Sequence, residues 1–176
     1  MPQDQQMNEG IEEILEAVAR REDRERASEI EEKTVQLVVF AFDDRFYAFY
    51  GELIQEIVTV TEIAYVPGMP DYLPGIINVR GEIESVLDLR RVFGLPSVPL
   101  TTQSRIVIGE VDAVRSGILV DSVEDVLEVP EESIQLAPSV LEVEFAEYII
   151  GEATYKGHNL TLLDLKKIFR NLLKTE

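Results

Sequence analysis

Cysteine and tryptophan are absent from this 176-residue chain, and histidine occurs once. Without cysteine there is no disulfide, no thiolate zinc site and no cysteine nucleophile. The lone histidine, His158, follows a Lys156-Gly157 turn, and no Ser/Asp arrangement can be argued around it. Basic residues are also scarce: 16 Lys and Arg stand against 34 Asp and Glu, a net charge of −18. That balance argues against duplex nucleic acid or an anionic membrane as partner, because phosphate neutralisation needs surplus cations. No Gly-rich phosphate loop, HExxH or EF-hand pattern occurs. No window approaches the roughly 18 to 20 apolar residues of a membrane span. The first residues lack the apolar core of a signal peptide. These absences lead to the expectation of a cytoplasmic binding module with no catalytic residue, cofactor or metal.

What is present is a repeat. Tyr72 to Phe93, YLPGIINVRGEIESVLDLRRVF, aligns without a gap on Tyr148 to Phe169, YIIGEATYKGHNLTLLDLKKIF. Tyr72/Tyr148, Gly75/Gly151, Gly81/Gly157, Asp88/Asp164 and Phe93/Phe169 coincide, and Arg80/Lys156 match in kind. This spacing marks a duplicated supersecondary unit. Gly75 to Val79 is apolar and β-branched, which suits a strand. Arg80-Gly81 then lets the chain reverse into a second strand. Asp88 is an N-cap for the helix that follows, with Gly94 just beyond its end. Asp164 plays the same part in the copy, so the two aspartates read as caps rather than a catalytic pair.

Outside the repeat the pattern is mostly β. Val35 to Phe42, Phe46 to Tyr50, Ile54 to Val60 and Ile63 to Val66 are apolar runs divided by turn formers. Arg105 to Val111, Gly117 to Val120 and Val123 to Val129 repeat that order, and the copies run to Pro67 and Pro138. Asp121, Glu124, Asp125 and Glu128 have helical spacing, but their apolar neighbours favour a structural element with one wet face over a cation site. Two small closed sheets follow, since closure removes exposed edges from short strands. The predicted seam is Gly94 to Ser104, and the crevice between the barrels is the expected partner site. Residues 1–34 form an acidic extension, helical or disordered, preceding a domain over 35–176. Ile11, Ile14, Leu15 and Val18 within it form either part of a solvated tail or a contact stripe.

Three positions stand out as contacts. Arg80 sits on a turn that would present a guanidinium outward, or is merely a basic residue suited to that turn. Glu56 lies between Ile54 and Ile57, on what reads as the strand's wet face. Gly117, inside a strand-like run, marks a close backbone approach or a bulge.

The segment LPGIINVRGEIESVLDLRRVF, with Asn78, Arg80-Gly81 and Asp88-Leu89-Arg90, closely resembles the CheW family of chemotaxis coupling proteins. The likeness extends over about residues 35 to 174, including the Ile54-Gln-Glu-Ile57 and Ser116 to Val126 segments. It implies a mainly β fold of two intertwined five-stranded SH3-like barrels with short helices. It also implies a non-catalytic adaptor in two-component signalling, recruited to membrane-associated receptor arrays. The implied partners are the regulatory domain of a CheA-type histidine kinase and the cytoplasmic tip of methyl-accepting chemoreceptors. By position, Arg80, Asn78, Glu56, Ile54 and Gly117 match family residues tied to coupling or partner binding. The chain departs from the family pattern at Glu84-Ser85, where an apolar-Pro pair is common, and at Ala48, where glycine is usual. The alternative is a CheW-like peptide- or ligand-binding β module in a divergent, non-flagellar system.

Overall fold

The computed structural model describes residues 2–29, 33–137 and 144–173. The chain divides into two units, Met1–Lys33 and Thr34–Glu176. The first is a single helix, α1 (Pro2–Glu29). Its Glu16–Arg20 pair closes at 3.1 Å, and Ile11, Ile14, Leu15 and Val18 are all exposed.

The second unit is mainly β. In chain order it comprises β1 (Thr34–Phe42), β2 (Arg45–Tyr50), β3 (Ile54–Thr59), β4 (Gly75–Val79) and β5 (Glu82–Asp88). After the short helix α2 (Leu89–Val92) come β6 (Arg105–Val111), β7 (Val114–Val120), β8 (Ser122–Pro130) and the two-residue β9 (Gln135–Leu136). The chain closes with β10 (Ile149–Tyr155), β11 (His158–Leu163) and α3 (Leu165–Leu172). Five strands form one sheet in the order β3-β6-β7-β5-β4, and six form the other in the order β8-β1-β2-β11-β10-β9.

The duplicated unit is visible in the backbone. Arg80 and Gly81 have φ of 53° and 88°, and Lys156 and Gly157 have 46° and 77°. Two successive positive φ angles make a turn whose twist matches that of the flanking strands. The Asp88 amide donates to the Tyr72 carbonyl at 2.8 Å, and the Asp164 amide to the Tyr148 carbonyl at 2.7 Å. The Asp88 side chain caps α2 by accepting from the Arg90 amide, and that of Asp164 caps α3 by accepting from the Lys167 amide.

The halves interlock. β2 pairs in parallel with β11, and β5 in parallel with β7, so each sheet draws strands from both copies. The predicted seam at Gly94 to Ser104 is therefore a loop that leads from β5 and α2 to β6, within one five-stranded sheet rather than between two. The chain changes sheet at the turn Gly51–Leu53 and again at Asp121. Two other expectations differ. Ile63 to Val66 is not a strand and contributes a single bridge, Ala64 to Ile76. Asp121 stands at the corner before β8, and Glu124, Asp125 and Glu128 lie along β8 and fall on both faces, since side chains alternate at period 2 rather than 3.6. Pro138 lies outside the described residues.

Three apolar clusters hold this unit together. Leu37, Val39, Ala48, Tyr155, Leu160 and Leu162 fill the six-stranded sheet. Ile77, Val79, Val86, Ile106 and Ile108 fill the five-stranded one, joined by Val58 from the opposite edge strand. The largest cluster lies between the sheets, where Phe40, Phe42, Tyr47 and Phe49 meet Leu87, Val107, Ile118, Phe93 at the end of α2, and Ile168 and Phe169 of α3. Each such side chain, fully buried, stabilises the fold by roughly 1.5–3 kcal/mol. The crevice expected between the barrels is thus a packed core, because the aromatics of β1 and β2 occupy it.

Candidate protein-binding rim

Arg80 and Glu56 come from opposite edges of the five-stranded sheet, yet Arg80 Nη2 lies 3.2 Å from Glu56 Oε2. Two edges meet only if the sheet curls shut, so this pair marks the closure of a five-stranded barrel and stands on its rim. The turn at the rim is built by Asn78, whose Oδ1 accepts the Gly81 amide at 2.8 Å. A side chain that satisfies the backbone two or three residues on is a standard way to fix a tight turn. The Arg80 side chain is 84% exposed and has Glu56 as an ion-pair partner. The sequence left two roles open for Arg80, and the exposure favours presentation.

Glu56 corrects the sequence reading. It does not occupy the wet face: like Val58 it is half-buried, opposite Ile108 as Val58 is opposite Ile106, and Ile57 is the exposed residue. A register shift between Ile54 and Glu56 sets this geometry. The Glu56 side chain is 19% exposed, and its second oxygen, Oε1, accepts from Arg115 Nη2 at 3.1 Å. Ile54 is half-buried against the central core and contributes packing beneath the rim.

Gly117 lies in mid-β7, buried and paired with Val86 and Ile108. A Cβ there would sit 2.5 Å from Ile106 Cγ2 and 3.3 Å from Ile108 Cδ1. Close approach, rather than a bulge, explains this glycine, and any effect it has on binding passes through β7. Of the five residues singled out from the sequence, the structure thus brings Arg80, Asn78 and Glu56 to one rim. Ile54 lies below it and Gly117 lies in the wall.

Arg115 escaped the sequence reading. From β7 it reaches Glu56, Glu82 at 3.6 Å and Glu84 at 2.7 Å. The last contact is an ion pair without an aligned hydrogen bond from Arg115 Nε. Glu84 is buried, and burial raises its carboxyl above the ordinary value. Arg115 offsets that in part, while Glu82, Glu110 and Glu56 raise it further. Beside this node Ser116 Oγ donates to the Ser85 carbonyl at 3.0 Å and lies 2.8 Å from Ser85 Oγ. The Glu84-Ser85 departure is thus matched strand to strand by Arg115-Ser116.

A second ionic node is structural. Buried Arg90 donates to Asp121, to Asp43 Oδ1 at 2.6 Å and to the Pro96 carbonyl at 2.8 Å. It ties the β1–β2 turn to the corner where the chain changes sheet. Burial alone would raise the Asp121 carboxyl, but the Arg90 hydrogen bond and the Asp43 amide hold it below its ordinary value. Near this node is a concavity of about 270 Å³ whose lining includes Ile63, Arg91, Val98, Leu100 and Leu119. His158 is exposed at the start of β11, its ring centroid 5.8 Å from that of Phe46. Among the described residues no His, Asp and Glu group could hold a metal ion, and no helix is long and apolar enough to cross a membrane.

Interlocked small barrels with an exposed ionic rim and a filled interior are the architecture of a scaffold domain. The family model described as CheW-like domain matches residues 36–173, and the chain belongs to that family of non-catalytic adaptor and scaffold proteins. The chemotaxis protein CheW of Treponema pallidum is 31% identical over 144 residues, 80% of this chain and 85% of that protein. The CheW of Bacillus subtilis is 33% identical over 103 residues, 58% of this chain and 66% of that protein. The crystal structure of the scaffolding protein TtCheW from Thermoanaerobacter tengcongensis superposes with a TM-score of 0.72 at 29% identity. The match covers 78% of this chain and 93% of that one.

Proposed function

We propose that this chain couples chemoreceptors to a CheA-type histidine kinase, binding both and catalysing nothing. The observation that carries this is the rim: Arg80, at the family's motif position, extends its guanidinium into solvent from a fixed hairpin turn. Two exposed apolar side chains belong to the same strands as the rim: Ile83, three residues after Arg80 on β5, and Ile57, next to Glu56 on β3. A charged centre with apolar neighbours is the composition of a protein-binding hot spot. The kinase contact is assigned to its own CheW-like regulatory domain, docking barrel to barrel, and the receptor contact to the helical tip of its cytoplasmic hairpin. Individually modest contacts gain from multivalency when many copies form an array at the membrane.

The test is Arg80→Glu in a pull-down with the kinase regulatory domain. Kinase retention should fall by about tenfold or more, the loss typical of removing a central charged contact. Thermal unfolding should hardly change, since an exposed ion pair contributes about 0–1 kcal/mol. Unfolding of the variant instead would assign Arg80 a structural role. No kinase retained by the unsubstituted chain would favour the alternative of a divergent, non-flagellar β module that binds a peptide or other ligand.

A further inference from the structure

We infer that Arg115 is a positioning residue for the Arg80 guanidinium, acting through Glu56. The inference rests on the rim reading above and deepens it.

Arg115 and Arg80 hold opposite oxygens of one carboxylate. Arg115 Nη2 lies 3.1 Å from Glu56 Oε1, and Arg80 Nη2 lies 3.2 Å from Glu56 Oε2. The exposures grade outward, with Glu84 at 6%, Glu56 at 19%, Arg115 at 29% and Arg80 at 84% for the side chains. The chain of contacts therefore runs from the barrel wall to the solvent. An isolated exposed pair of long side chains has little net strength, because fixing both costs rotamer entropy. Here one partner is already fixed. Glu56 is held from the wall side, so Arg80 meets an acceptor whose position is set in advance, and less freedom remains to be lost when a partner engages.

The charges point the same way. Glu56, Glu82 and Glu84 surround Arg115, so three carboxylates face two guanidiniums at this rim. Without Arg115 the Glu56 carboxylate would stand beside two other acids with one exposed cation for all three. Like-charge repulsion then favours its turning away. That removes the acceptor that orients Arg80. The neighbouring Ser116 and Ser85 contacts fix the spacing of β7 and β5 at the point where Arg115 must reach Glu84. Arginine suits the task for a geometric reason: its planar head donates to Glu56 from Nη2 while Nε lies in an ion pair with Glu84, a span that a lysine ammonium cannot match.

The experiment is a double-mutant cycle on the full chain, read as the Kd for the kinase regulatory domain with thermal unfolding measured in parallel. The variants are Arg80→Ala, Arg115→Met, both together, and Arg115→Lys. Arg115→Met alone should weaken binding by about three- to tenfold, and in the Arg80→Ala background by less than about twofold, since the two act as a unit. Arg115→Lys should fall between the native chain and Arg115→Met. Should Arg115→Met fail to fold with Glu84 stranded, Arg115→Met/Glu84→Gln replaces it with the same expectation. A purely structural Arg115 would give fold-losses that multiply in the double variant, and that result overturns the inference. So does unchanged binding on Arg115→Met when Arg80→Ala weakens it, which leaves the rim reading standing. Unchanged binding on Arg80→Ala itself overturns the rim reading and this inference with it.

Discussion

Arg90 shows what a fully partnered charge does in this protein. Its guanidinium is buried and donates to two aspartates and a carbonyl, and it lies 5.7 Å from the Phe42 ring centre. Arg90→Met should destabilise the unit by about 2–4 kcal/mol at neutral pH, because it leaves carboxylates without their counter-charge. Asp121 sets the pH dependence. Its folded carboxyl is held below the ordinary value, so the stability it confers is present above that value and lost as pH falls through the lowered one. The difference between native and variant should therefore shrink in denaturant melts as pH drops below about 4. A gap that stays constant or widens in acid would refute this account of Asp121. Glu84 runs the other way: its carboxyl is raised, so its contribution is complete at low pH and lost as pH rises through the raised value. At this scale the sequence showed Arg80, Asn78 and both capping aspartates, because each works within a few residues of itself. It did not show Arg115, whose partner Glu56 is 59 positions away and meets it only across the closed sheet.

At the scale of elements, local signals and cross-strand geometry part company. The turns at Asp43-Asp44, Arg80-Gly81, Asp112-Ala113 and Lys156-Gly157 were legible from composition, and each contains a non-glycine residue at positive φ. The inward lean of Glu56 was not legible, since it depends on a register shift against β6 that leaves no mark on the β3 sequence. β8 was legible as the run Val123 to Val129, although its carboxylates happen to fall at helical spacing along the strand. Helix α1 poses a separate question. The three apolar clusters of the second unit take all their residues from Val35 onward. Deleting residues 1–33 should accordingly leave the unfolding temperature of the remainder unchanged. A drop of several degrees would mean that the extension belongs to the fold. Lost partner affinity at unchanged stability would instead assign the Ile11, Ile14, Leu15 and Val18 stripe to docking.

For the whole molecule, duplication alone suggested two units side by side, whereas the sheets are built from residues 54–120 and from 34–50 with 122–163. Parallel pairing of β2 with β11 and β5 with β7 has no local signature, so repeat and sheet boundaries differ. The interlock fills the space between the sheets with aromatic side chains, which is why the proposed partner contacts fall on the rims. An adaptor must hold two partners at once, and that can be measured directly. The chain, a kinase regulatory domain and a receptor cytoplasmic hairpin fragment should sediment together as one ternary species, with the two partners retained independently. If saturating receptor fragment displaces the kinase domain, leaving only binary complexes, the coupling account is contradicted.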